Sequence, residues 1–187
     1  MSGIEIQYWD TCVFLALFKR EEHRPGELQY LEEQALRFDM GVLGIVTSSI
    51  TVAEIMQSKQ TAEQWERWNK IYSRSNFQFV DANYRVCGLA SEIRDYYFEN
   101  PVRTDAGVEL RLMTPDAIHL ASAIIAQSGA RRSIQLLTFD DRDKPAKNDI
   151  ALTRLNGLVA GKYQLHVGRP VISRQQSVLE FAGGSAK

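Results

Sequence analysis

Strand-like and helix-like segments take turns along this chain. The strand-like segments alternate apolar and polar residues and are rich in β-branched or aromatic side chains, whereas the segments between them have helical periodicity. Five segments are predicted as strands: residues 4–9, 42–47, 77–80, 134–138 and 163–167. Parallel strands need long crossover connections, which helices usually supply, so this alternation is typical of helices packed on both faces of a parallel sheet. The sequence therefore predicts an α/β sandwich around a central, mainly parallel sheet of about five strands.

The length and composition of the chain fit one globular domain. It has 187 residues, of which 44% are hydrophobic and 24% are charged, and these values are ordinary for a protein with a real core. No repeat or linker divides it. We expect one domain over residues 1–172 and a mobile tail over residues 173–187, which ends in a Gly-Gly-Ser-Ala-Lys sequence.

Charge and cysteine content narrow the function classes. A formal net charge of −1 weighs against binding nucleic acid by bulk positive charge, although bound cations can supply that charge locally. Cys12 and Cys87 lie in apolar stretches without a CxxC pair, so we interpret them as buried free thiols in a reducing cytoplasm. No signal-type segment opens the chain and no run of about 18 apolar residues occurs, so we expect no membrane partner.

Two of four candidate carboxylates follow strands directly, and in parallel α/β sheets ligands bind outside the carboxyl ends of the strands. Asp10 directly follows the first predicted strand, and Asp140 follows the fourth. Glu54 lies one turn into the helix after the second strand, with apolar neighbours on most sides. Asp116 lies in the first turn of a helix that we expect Thr114 to cap, with Pro115 at its first position. These acids are the candidate site.

Taken singly, most of these acids have a structural explanation. Asp10 could cap a helix, and Asp116 could complement a helix dipole, which is worth about 0.3–1 kcal/mol. Glu54 is harder to explain, since an apolar setting makes a lone carboxylate costly to bury. Together, converging carboxylates would repel one another unless a cation lay between them. Mg²⁺ and Mn²⁺ prefer oxygen ligands and can activate water and stabilise a leaving alkoxide, so the set favours metal-dependent phosphodiester hydrolysis.

At these residues the chain resembles the PIN-domain nucleases, and more closely the VapC-like toxin ribonucleases. The resemblance lies in four segments in order, spanning residues 4 to about 167: YWDTCVFLAL, VTSSITVAEI, TPDAIHLASAI and LLTFDDRD. It implies a PIN-like sandwich, endoribonuclease activity on RNA and one or two Mg²⁺ or Mn²⁺ ions. It also implies a cognate antitoxin protein as the partner of a toxin–antitoxin pair, and a homodimer.

The resemblance assigns the catalytic positions to Asp10, Glu54, Asp116 and Asp140. It implies that Asp10, Asp116 and Asp140 hold the metal, while Glu54 orients or deprotonates the attacking water. The hydroxyls of Thr11 and Thr138 would flank the metal site.

Neighbouring residues offer further candidates. Asp141 and Asp143 could each supply an additional acid after the T-x-D motif, at spacings that depart from the commonest family pattern. Lys144 and Lys147 lie at the same strand end and could form a rim that contacts phosphates. We interpret His119, one turn after Asp116, as a packed or surface residue rather than a ligand.

Two other interpretations stay open at this point. The chain could be a non-toxin PIN nuclease of RNA processing, or an inactive RNA-binding relative, although the presence of all four acids argues against inactivity. A receiver-like signalling module also places acids and Mg²⁺ at strand ends. It would require a phospho-accepting aspartate after the third strand and a lysine after the fifth, where this chain offers Asp81 and Gly168-Arg169.

Overall fold

The structure, a computed structural model, describes residues 4–171, so the predicted tail over residues 173–187 lies outside the described part. The strands are β1 (Glu5–Trp9), β2 (Leu43–Ser48), β3 (Phe77–Val80), β4 (Val102–Arg103), β5 (Glu109–Leu110), β6 (Gln135–Leu137), β7 (Gly157–Val159) and β8 (Tyr163–Gly168). The helices are α1 (Thr11–Lys19), α2 (Glu27–Asp39), α3 (Ile50–Gln57), α4 (Ala62–Tyr72), α5 (Tyr84–Glu99) and α6 (Thr114–Ala130). Short 3₁₀ turns cover Pro145–Lys147 and Leu152–Leu155.

The central sheet has six strands in the order β3-β2-β1-β6-β8-β7, and all neighbours are parallel except β7 and β8. This confirms the predicted α/β sandwich with a mainly parallel sheet. The additional strand is β7, which the sequence analysis did not find because a three-residue strand is too short to show a period. The polar stretch 100–113, expected as a loop or small hairpin, forms the β4–β5 hairpin.

The alternation of side chains along the inner strands separates two apolar layers. Tyr8 of β1 packs with Leu136 on the face that α5 and α6 cover. Its neighbour Trp9 points to the other face, where it packs with Phe14 of α1 and Trp68 of α4. Helices on both faces bury most of the sheet, so the carboxyl ends of its parallel strands are the expected place for a polar site.

Backbone hydrogen bonds extend the parallel pairing past the carboxyl ends of the strands. The amide of Asp10 donates to the carbonyl of Leu137 at 3.0 Å, and the amide of Thr138 donates to the carbonyl of Gly168 at the same distance. The residues that follow β1, β6 and β8 are therefore fixed side by side at one edge. This edge is the one at which the sequence analysis expects a site.

Two local expectations need correction. Met113, in extended conformation, holds the N-cap position of α6 without a side-chain cap bond, so Thr114 begins the helix instead of capping it. Of the two free cysteines, Cys12 is partly buried but Cys87 is exposed, because Val86 faces the core and the next residue is rotated away on α5. Over residues 4–171, no helix is long and apolar enough to cross a bilayer.

Candidate active site

Asp10 combines the two roles that the sequence left open, since it both caps α1 and lies at the centre of the acidic edge. Its Oδ1 accepts a hydrogen bond from the amide of Thr11 at 2.7 Å. Its Oδ2 accepts from the hydroxyl of Thr138 at 2.7 Å and from the thiol of Cys12 at 3.0 Å. With only 7% of the residue exposed, these donors stabilise a carboxylate that solvent scarcely reaches.

Glu54 reaches the same edge from α3. Its Oε2 accepts a short hydrogen bond from the hydroxyl of Thr11 and lies 3.0 Å from Nε2 of His119. The surroundings differ from the apolar setting expected from the sequence, because Met56 on the same helix is 62% exposed. Polar contacts across the site therefore hold Glu54 by its Oε2, and its Oε1 has no hydrogen-bond partner among residues 4–171.

His119 contacts two of the acids and belongs to this group, although the sequence analysis set it aside. It is buried, as expected of a packed residue, but its Nε2 lies 3.0 Å from Glu54 and 3.4 Å from Asp10, and its Nδ1 lies 2.8 Å from the hydroxyl of Tyr8. Burial lowers the pKa of His119, but Asp10 and Glu54 raise it by more, so the imidazolium is favoured. Its place three residues after Asp116, on the same helix face, was the available signal.

Asp116 is the least compensated acid of the group. Its carboxylate forms no hydrogen bond or ion pair with any other residue between 4 and 171. Burial, followed by the charges of Asp10, Asp149 and Asp140, raises its pKa from 3.8 to about 7, against a smaller lowering by His119. A carboxylate in this position gains from any cation that approaches it.

Asp140 lies at the other end of the group and is compensated by the protein. Its Oδ1 is 2.8 Å from Nζ of Lys144, and its Oδ2 accepts from the amide of Leu152 at 3.2 Å. Burial raises the pKa of Asp140, and the contacts with Lys144 and Leu152 oppose this without cancelling it. The hydroxyl of Thr138 accepts from the amide of Asp140 at 3.0 Å and donates to Asp10, which links the two acids.

Asp149 is an acid of this group that the sequence analysis missed. It is only 5% exposed, its Oδ2 lies 3.3 Å from Nζ of Lys144, and its charge contributes to the raised pKa of Asp116. Its Oδ1 is buried and has no hydrogen-bond partner among the described residues. The signal in the sequence was weak: an aspartate directly before the apolar run 150–152, where no strand or helix end was predicted.

The structure does not bring Asp141 and Asp143, the expected additional acids, into this group. Asp141 pairs with Arg24 and, at 2.7 Å, with Arg169. Asp143 pairs with Arg154 and accepts from the amide of Ala151 at 3.0 Å. Because arginines compensate both carboxylates, neither is available to a cation in the way that Asp116 is.

The two lysines that were predicted to contact phosphates, Lys144 and Lys147, have different surroundings in the structure. Lys144 points at two acids of the group instead of lining its outside. Burial lowers the pKa of this lysine, but Asp140 and Asp149 raise it by more, so it stays charged. Lys147 is exposed in the 3₁₀ turn and forms no ion pair within the described range.

A divalent ion at this site would have few direct ligands from the protein. Within residues 4–171, no three His, Cys, Asp or Glu side chains are arranged so that they could coordinate one ion among them. Mg²⁺, however, keeps several waters and takes one or two carboxylates directly. The unpartnered carboxylate of Asp116, with three further acids acting on it, fits a hydrated ion of this kind.

A family model matches most of this chain. The family model described as "PIN domain" matches residues 8–148, a segment that contains Asp10, Glu54, Asp116 and Asp140. This match rules out the receiver-like alternative. The comparison with curated proteins gives no significant match.

Among solved structures, VapBC2 from Rickettsia felis bound to a promoter DNA fragment matches at a TM-score of 0.50 and 14% identity, covering 88% of this chain and 98% of that chain. A DNA-bound VapBC from Salmonella typhimurium matches at 0.48 and 14%, covering 90% and 99%. A toxin–antitoxin complex from Klebsiella pneumoniae matches at 0.43 and 21%, covering 71% and 84%. At these identities the Rickettsia felis match supports the fold alone.

Proposed function

Because the chain belongs to the PIN domain family of nucleases, we propose that it is an endoribonuclease that depends on Mg²⁺ or Mn²⁺ and acts as the toxin of a VapBC-type pair. The observation that carries the proposal is the carboxylate of Asp116. It is largely buried, lacks a partner within the described residues, and has a pKa raised to about 7 by burial and by other acids. A protein that keeps such a group without a compensating side chain is suited to bind a cation there.

In this proposal, Asp116 holds a hydrated ion, and Asp10 and Asp140, whose oxygens accept hydrogen bonds from the protein, contact it through its waters. A divalent ion held there supplies Lewis-acid polarisation of a phosphoryl oxygen and lowers the pKa of water bound to it. The hydroxyls of Thr11 and Thr138 keep Glu54 and Asp10 in place, since each donates a hydrogen bond to one of these carboxylates. The donors fix the carboxylate orientations before the substrate arrives, which limits the reorganisation needed during the reaction.

Glu54 is the proposed residue for the attacking water. Its Oε2 is engaged by Thr11 and His119, whereas its Oε1 has no partner within residues 4–171 and can accept a hydrogen bond from water. The contact of Oε2 with Nε2 of His119, at 3.0 Å, holds the side chain in this orientation. Glu54 is therefore positioned to orient water in line with the phosphodiester and to accept its proton.

The test is cleavage of a set of structured RNAs, and of DNA with the same sequences, with Mn²⁺, with Mg²⁺ and with excess EDTA. We expect RNA cleavage with either metal and none in EDTA. Asp116→Asn should abolish cleavage while circular dichroism stays unchanged. The matched control is Asp95→Asn, which removes an exposed carboxylate on α5 and should leave cleavage intact. Cleavage that persists in EDTA, or equal activity of Asp116→Asn, would refute the proposal.

The toxin assignment has its own test. The structures from Rickettsia felis and Salmonella typhimurium are VapBC assemblies, and by analogy we propose that a small antitoxin protein inhibits this chain. Expression should arrest growth, and co-expression of a protein encoded beside it should restore growth. Harmless expression of an enzyme that cleaves RNA in vitro would instead support a non-toxin nuclease of RNA processing. A folded protein that binds RNA without cutting it would support an inactive relative.

Oligomeric state and location complete the proposal. We propose a homodimer, which light scattering after size-exclusion chromatography would detect as twice the 21.2 kDa chain mass. We propose the cytoplasm as the site of action, because Cys12 and Cys87 are both free thiols and a reducing compartment keeps them so. A monomer at micromolar concentration, or export of the protein, would contradict these assignments.

A further inference from the structure

We infer that the ammonium group of Lys144 is a built-in cation of the acidic site, so that the site binds one divalent ion and not two. The inference rests on the proposed function, in which the acids Asp10, Asp116 and Asp140 bind a divalent ion. It concerns the part of the acidic group where Lys144 lies between Asp140 and Asp149.

The contacts of Lys144 are those of a charge held between two acids. Its Nζ lies 2.8 Å from Oδ1 of Asp140 and 3.3 Å from Oδ2 of Asp149. Asp149 is only 5% exposed, and its second oxygen is buried without a partner in the described part of the chain. A buried carboxylate without a counter-charge is strongly unfavourable, and Lys144 is the counter-charge that the structure places beside Asp149.

The backbone positions this lysine. The amide of Lys144 donates to the carbonyl of Asp149 at 3.0 Å, and the amide of Asp149 donates back at 3.3 Å, so the 3₁₀ turn between them is closed at its base. Arg111, next to β5, fixes the same turn through hydrogen bonds with Asn148 at 2.7 Å and Ile150 at 3.1 Å. Lys144 therefore extends towards the acids from a turn whose backbone is already fixed, so pairing costs little further backbone entropy.

The acids of this group differ in how many hydrogen-bond donors and positive charges the protein places beside them. Both oxygens of Asp140 accept hydrogen bonds, one from Lys144 and one from the amide of Leu152, whereas Asp116 has no partner among residues 4–171. A first divalent ion is thus favoured beside Asp116. A second ion beside Asp140 would have to displace the ammonium, since like charges a few ångströms apart repel strongly in a poorly solvated site.

Asp149 is then a positioning residue that holds Lys144. It differs from Asp141 and Asp143, which pair with arginines instead of Lys144: Arg24 and Arg169 for Asp141, and Arg154 for Asp143. The chain thereby replaces a possible second metal ion by a covalently attached charge whose position is set when the protein folds.

The experiment is the binding stoichiometry of Mn²⁺ alone, without RNA, followed by equilibrium dialysis and by the electron paramagnetic resonance signal of free Mn²⁺. We expect the wild type to bind one ion per chain. Lys144→Met keeps the aliphatic length but removes the charge, and it should bind two. Lys144→Arg keeps the charge and should bind one. Lys147→Met removes an exposed lysine from the same turn and should also bind one. Circular dichroism verifies that each variant is folded.

The outcomes separate this inference from the proposed function. Two ions in the wild type, or one in a folded Lys144→Met variant, would overturn the role of Lys144 and leave the nuclease proposal standing. No bound Mn²⁺ in the folded wild type would overturn both. If Lys144→Met does not fold, Asp149→Asn provides the second variant. It frees the ammonium from one of its two acids, and under the inference it should still bind one ion, because Lys144 keeps its contact with Asp140. Two ions in that variant would contradict the inference.

Discussion

Replacement of Asp116 by asparagine should stabilise the metal-free protein, and the gain should grow with pH. The carboxylate has a pKa of about 7 in the folded protein, against 3.8 as its ordinary value. Between these pH values the folded state keeps a proton that the unfolded state loses. The stability of the wild type therefore falls as pH rises from about 4 to 7 and then levels off.

The magnitude follows from the size of this window. Between pH 5 and pH 7, over about two pH units, the folded state keeps the proton of Asp116 and the unfolded state has lost it. This lowers the unfolding free energy of the wild type by about 2–3 kcal/mol. Partial solvent exposure of the side chain screens its charge, so we expect about 2 kcal/mol. Asparagine has a similar shape and no charge, so its contribution does not change with pH.

The assay is urea denaturation in EDTA at pH 5 and pH 8, for the wild type, Asp116→Asn and the exposed control Asp95→Asn. The free energy of unfolding of Asp116→Asn relative to the wild type should increase by about 2 kcal/mol between the two pH values. Asp95→Asn should show no such increase. A difference that is constant with pH, or a destabilised Asp116→Asn at pH 8, would show that the acids do not repel one another as the structure indicates.

Three further predictions follow from the same contacts. Saturating Mn²⁺ should stabilise the wild type by about 2–3 kcal/mol at 100 times the dissociation constant and Asp116→Asn by much less, measured by urea denaturation; equal stabilisation would place the ion elsewhere. Glu54→Gln should lower RNA cleavage by about 10²–10⁴-fold while keeping one bound Mn²⁺, measured by single-turnover cleavage and dialysis; unchanged cleavage would remove Glu54 from the reaction. Arg169→Met should cost about 3–5 kcal/mol of stability, because it leaves the carboxylate of Glu27, only 3% exposed, without its two-bond partner; a loss below about 1 kcal/mol would contradict this.

The sequence carried much of the information on the sheet and the edge that bears the site. Asp10 and Asp140 follow strands whose alternation and apolar content are local properties, so their place at the carboxyl edge could be predicted without tertiary information. Asp116 could be placed because Pro115 marks a helix start. The boundaries moved by only one or two residues, and the short strand β7 was missed because its pairing with β8 defines it more than its own residues do.

Which charges meet was not predictable in the same way. Four aspartates lie within ten residues of one another along the chain, at positions 140, 141, 143 and 149. In the structure Asp141 and Asp143 pair with arginines, whereas Asp140 and Asp149 share Lys144.

The sequence by itself determined the type and order of the elements, and with them the strand ends at which Asp10 and Asp140 stand, since these depend on hydrogen bonds and side-chain periodicity within a few residues. Only the tertiary structure decided which carboxylates are compensated and which are left free. Arg169 reaches Glu27 across 142 residues of chain, and His119 lies 65 residues from Glu54. Electrostatic energy depends on the distance between charges in space and on their burial. Neither quantity can be obtained from the number of residues that separate two charges along the chain.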